Sequence, residues 1–94
     1  MVKKKEVVYI VGIESPDSGG VSSAHKTLQG ALKSWNKLRK ELLNKAKYYL
    51  KNSNSKDSKD MFGEIVKNLS CEDYKLIDNY PHETPCIREY KLRK

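Results

Sequence analysis

EVVYIVGI, residues 6–13, is the stretch whose reading decides the fold: a β-branched and aromatic run with almost no polar alternation. Such a run predicts a strand that is covered on both faces or placed centrally in a sheet. Downstream, SPDSGGVSS (15–23) supplies turn chemistry through Pro16, Asp17-Ser18 and Gly19-Gly20, with Ser22 or Ser23 placed to cap a following helix. From 24 to 52 there is no proline and one glycine, Gly30. Apolar residues recur there at Leu28, Ala31, Leu32, Trp35, Leu38, Leu42, Ala46, Tyr49 and Leu50, the spacing of a helix of about seven turns.

A polar break, NSNSKDSKD (52–60), precedes Met61, Phe62, Ile65, Val66 and Leu69, which predict a second, shorter helix capped near Asp57 or Ser58. The two helices are expected to form a hairpin. YKLID (74–78) and CIREYKL (86–92) read as strands around a loop in which Pro81 and Pro85 stop pairing. A chain of 94 residues supports one core, so residues 1–94 are expected to form one domain. The expected architecture is an α+β two-layer sandwich in the order strand-helix-helix-strand-strand. A small antiparallel sheet packs on a long and a short helix, the first strand pairs with the last, and Trp35 and Phe62 share one core.

The chain has 19 Lys+Arg against 12 Asp+Glu, a formal charge of +7, and the excess is concentrated. Residues 25–51 hold seven lysines and Arg39 against Glu41 alone, while the rest of the chain holds eleven basic and eleven acidic residues. At about 100° per residue, Lys26, Lys33, Lys37, Lys40, Lys47 and Lys51 fall within roughly 40° of one meridian, opposite the apolar set. This stripe of about 37 Å is the candidate partner-binding surface, long enough to follow several phosphates or an acidic groove. A solvated helix face is also polar, but it ordinarily alternates Glu with Lys at i,i+4. Lysine rather than arginine dominates and only Tyr48 lies near the stripe, which points to backbone contacts rather than base reading or stacking.

Gly19, Gly20, Ser22 and Ser23 form a candidate anion-binding loop, since a Gly-rich turn leading into a helix can cradle a phosphate. The loop lacks the glycine-lysine-serine order of a Walker motif. His25, His82, Cys71 and Cys86 have no paired zinc spacing, and the acidic residues have no paired spacing for general acid/base work, so neither a metal, a cofactor nor catalysis is expected. The two cysteines suit burial in the reduced state. The basic start and the roughly seven-residue apolar run after it sit at the short edge of a signal sequence and have no cleavage site, and no segment approaches the roughly 20 apolar residues of a membrane span. A cytoplasmic protein is expected.

VVYIVGIE, GVSSAHKTLQGAL and CIREYKL together resemble small uncharacterised phage and bacterial proteins. Those begin with a hydrophobic strand, enter a helix through Ser-Ser and end on an Ile-x-Glu-Tyr-x-Leu strand. The long lysine stripe and the 52–60 break depart from that pattern. The resemblance implies a phage accessory protein, a class that includes inhibitors of host defence such as anti-CRISPR proteins, and it transfers no functional residue. The leading expectation is stoichiometric occlusion of a host defence nuclease by the lysine-rich helix. The alternatives are sequence-nonspecific nucleic-acid binding and nucleotide sequestration by the Gly-Gly loop.

Overall fold

The computed structural model describes residues 6–16 and 19–92. Along the chain come β1 (Glu6–Glu14), β2 (Gly20–His25), α1 (Leu28–Lys51), α2 (Lys56–Leu69) and β3 (Thr84–Leu92). The strands form one antiparallel sheet in the order β2-β1-β3, with β1 central. The α+β class, the helix hairpin and the pairing of first strand with last are therefore as the sequence indicates. The strand positions are corrected: the order is strand-strand-helix-helix-strand.

Two local causes explain the difference. β1 has two edges of backbone donors and acceptors to satisfy. The short sequence separation between Glu14 and Gly20 lets Gly20–His25 pair back against one of them at small loop-closure cost, which makes a hairpin where a helix start was expected. At 74–78 the chain is bent at both ends instead of extended. The Asp73 carboxylate accepts from the Lys75 N–H at 2.9 Å and that of Asp78 from the Tyr80 N–H at 3.0 Å. The Asp73 carbonyl also accepts from the Ile77 N–H at 3.0 Å, closing a helical turn that sends Tyr74 and Ile77 into the core.

The β1–β2 register shifts between Val11 and Gly12: Val11 faces Ser23 and Gly12 faces Val21, leaving Ser22 as the extra residue of a bulge. Gly12 is required there because a Cβ would overlap the Gly20 carbonyl oxygen.

α1 starts at an N-cap of Thr27, whose Oγ1 accepts from the Gly30 N–H at 3.1 Å, and α2 at Ser55, whose hydroxyl accepts from Ser58. α1 is long enough to serve two cores. Its N-terminal half presses Ala31 and Trp35 onto Val11 of the sheet, with Tyr9, Leu38, Tyr74, Ile77 and Ile87 around them. Its C-terminal half packs Ala46 against Ile65 and Leu69 of α2, with Leu42, Leu43, Phe62 and Val66. Trp35 and Phe62 therefore lie in different clusters, joined through Ile77. α2 docks on α1's far end rather than on the sheet, and the molecule is elongated, 63 × 23 × 19 Å.

Arg39 fastens the two halves. It is 3% exposed, and its Nη1 donates to the Leu69 carbonyl at 2.9 Å, one of the carbonyls that the end of α2 leaves without a helical partner. Nη2 and Nε donate to Asn36 Oδ1 at 2.7 and 3.2 Å. The Glu72 carboxylate lies 3.9 Å away but is mostly exposed, so the hydrogen bonds matter more than that ion pair. Arg39→Met keeps much of the bulk and strands the Leu69 carbonyl. It is expected to cost about 2–3 kcal/mol, read as a lowered urea midpoint.

Asn79, 1% exposed, plays the matching part before β3. Its Nδ2 donates to the Glu83 carbonyl at 2.9 Å, its Oδ1 accepts from Asn68 at 3.2 Å, and its N–H donates to Thr84 Oγ1 at 3.1 Å.

Candidate functional site

The outer face of α1 follows from the packing of the inner one. With Ala31, Trp35, Arg39 and Ala46 turned inward, helical periodicity puts Lys33, Lys37, Lys40, Lys47 and Lys51 on the opposite side, and all five are exposed. From Lys33 to Lys51 the row runs about 27 Å along the axis. Lys26 is exposed too, but it precedes the Thr27 cap and so lies outside the helix. Lys45 is also exposed, off the row.

Among the described residues the ion pairs are Arg39–Glu72 and Arg88–Glu14, and neither takes a lysine of α1. α2 provides an internal comparison. It meets solvent with Lys56, Lys59 and Lys67 against Asp57, Asp60 and Glu64, a balanced set. The uncompensated charge is particular to α1. One positive charge of its 25–51 segment is nevertheless not at the surface: Arg39 falls about 240° around the helix from Lys33, within the apolar sector. That angle was the available sign of its burial.

The proposed anion loop is placed differently from its sequence reading. Gly20, Ser22 and Ser23 belong to β2 and Gly19 precedes it, so the segment does not open a helix, and the N-terminus of α1 is capped by Thr27 instead. The Ser23 hydroxyl is engaged with His25 Nε2 at 2.7 Å. The cradle of helix N–H groups on which nucleotide sequestration depended is absent at these residues.

The zinc-type donors lie apart: His25 ends β2, His82 sits before β3, Cys71 follows α2 and Cys86 is in β3. Both thiols are free and half-buried. Burial pushes the Cys86 thiol above its ordinary range, against the opposing pull of Arg88, and this leaves it protonated at neutral pH and a poor nucleophile.

Two features had no sequence signal. One is a groove of about 420 Å³ between the C-terminal half of α1, α2 and the 79–83 loop, floored by Leu42, Ala46, Tyr49 and Phe62 and edged by Lys45 and Glu83. The other is the side of the sheet turned away from α1. Among the described residues no helix is long and apolar enough to cross a membrane. No family model, no curated protein and no solved structure matches the chain.

Proposed function

We propose that the protein works by stoichiometric binding rather than turnover, and that the outer face of α1 engages the phosphate backbone of a nucleic acid. The observation that carries this reading is the exposed, uncompensated lysine row on α1 beside a charge-balanced α2. Its composition favours a backbone over a protein partner. Protein interfaces are depleted in lysine and centred on aromatic and arginine anchors, whereas this face offers only Tyr48. Lysine ammonium groups at helical spacing suit phosphates as point charges without selecting bases.

A second reading, occlusion of a host defence nuclease in the anti-CRISPR manner, is favoured by the apolar groove beside Lys45, which supplies the desolvated anchor site that the lysine row lacks.

Gel retardation with unrelated DNA and RNA over a salt series is the test. Five lysine–phosphate contacts predict an affinity loss of about 10²–10³-fold between about 50 and 200 mM salt. Lys33→Glu/Lys40→Glu/Lys47→Glu should abolish retardation and leave the melting temperature essentially unchanged, because all three side chains are exposed and their reversal relieves like-charge spacing. Undiminished retardation by that folded variant refutes the reading. So does failure of the unmodified protein to retard either polymer at low salt, and capture of a protein through the groove would then favour the second.

A further inference from the structure

β1 is apolar on both faces, yet the core uses one. The clusters take Tyr9, Val11 and Ile87 from the α1 side of the sheet and, among the described residues, nothing from the other. On that other side lie Val8, Ile10 and Gly12 of β1, flanked in register by Ala24 and Val21 of β2 and by Tyr90, Arg88 and Cys86 of β3. An antiparallel sheet with one solvated face normally alternates apolar and polar residues. Here the outward set is mostly apolar, with Val21 74% and Tyr90 49% exposed. Among its described side chains the charges are Arg88 and Glu14, which pair with each other at 3.6 Å. A hollow of about 430 Å³ lies on this side, bordered by Ile10, Gly12, Val21, Cys86 and Tyr90.

We propose that this face binds a second copy of the chain, sheet against sheet. Three observations select a copy of itself as the occupant. The described charges of the patch cancel, so two chains of charge +7 can meet there while their lysine rows stay on the outer sides, away from each other. The patch carries both a knob and a hole. Tyr90 stands level with Val8, four residues along β1 from Gly12, so a two-fold axis crossing the strands at Ile10 sets each copy's Tyr90 over the other's hollow. The size fits a weak contact: three strands and seven residues make a patch of about 14 by 23 Å, so two patches cover roughly 640 Å², below standard specific interfaces and in the size range of transient ones. Association should therefore be weak, in the micromolar range. The dimer would present two lysine rows on opposite outer faces.

Sedimentation equilibrium of the full chain from about 1 to 500 µM brackets that range. The unmodified protein is expected to approach twice the chain mass at the upper end. Val21→Glu and Tyr90→Glu, both at exposed side chains, should each hold it at the single-chain mass with an unchanged circular dichroism spectrum. The triple lysine variant should still dimerise. Concentration-dependent amide shifts in the unmodified protein, centred on Val8, Ile10, Val21, Cys86 and Tyr90, give the same test without any substitution. A single-chain mass throughout, shifts centred elsewhere, or a dimer that survives either glutamate in a folded variant overturns the proposal. Loss with Tyr90→Glu but not Val21→Glu would instead indicate pairing along the β3 edge.

Discussion

Trp35→Ala is expected to lower stability by about 3–5 kcal/mol, the range for removing a fully buried indole. Trp35 is 2% exposed and sits where α1 meets the sheet, against Val11 and Ala31. Tyr74 packs edge-on at 6.3 Å, and the Arg39 guanidinium lies 5.6 Å from the ring centre. The indole Nε1 also donates to the Pro85 carbonyl at 2.9 Å, so truncation both opens a cavity and leaves a buried carbonyl without its donor. Trp35→Phe separates the two effects, because it retains most of the ring volume and loses the hydrogen bond; about 1–3 kcal/mol is expected. Urea unfolding of the three proteins, compared by midpoint at equal slope, checks this. A loss below about 1 kcal/mol for the alanine variant would contradict a core position for Trp35.

Gly12→Ala is the second large effect, and it comes from adding atoms. No described glycine has a positive φ, so the need for glycine is one of space and not of backbone conformation. The new methyl would meet the Gly20 carbonyl oxygen, which is backbone and cannot rotate aside. β2 must then move off β1 or the Ser22 bulge must rearrange, at an expected cost of about 2–3 kcal/mol. Gly20→Ala is the matched control: nothing lies within 4 Å of a Cβ there, and the change should stay within about 0.5 kcal/mol. Thermal melts of the two variants should differ clearly, and equal melting temperatures would mean that the bulge accommodates a side chain freely.

The parts of this fold legible in the sequence were those with a sustained period. The 3.6-residue recurrence placed α1 and α2 and also exposed the lysine row, because both faces of one helix follow from a single phase. The CIREYKL run and the long apolar run of β1 gave the two strands that pair over nine positions. β2 was not legible, since GVSSAH contains a single β-branched aliphatic residue and draws its strand conformation from pairing with β1. YKLID misled in the opposite direction. Its alternation suits a strand, but the neighbouring Asp73 and Asp78 carboxylates bind backbone N–H groups and turn the chain. The open sheet face was hidden by the very run that identified β1. An unbroken apolar strand reads alike whether its second face is covered by its own helices or by something else.

The pairing of β1 with β3 has a consequence for how the chain is made. It joins Glu14 to Thr84 and Glu6 to Leu92, positions about 70 to 86 apart, whereas the β1–β2 hairpin and the α1–α2 hairpin are local. On a ribosome the two hairpins therefore emerge and can form first, while one full edge of the most apolar strand waits for a complement still to be synthesised. Throughout that interval β1 is a bare template for any passing extended segment. Arg88, Glu89 and Lys91, the charges on the late-arriving strand, then become the guards of the sheet's final edge. Yield in the cell should accordingly depend on how promptly Thr84–Leu92 follows the rest, a burden that the measured stability of the folded molecule would not disclose.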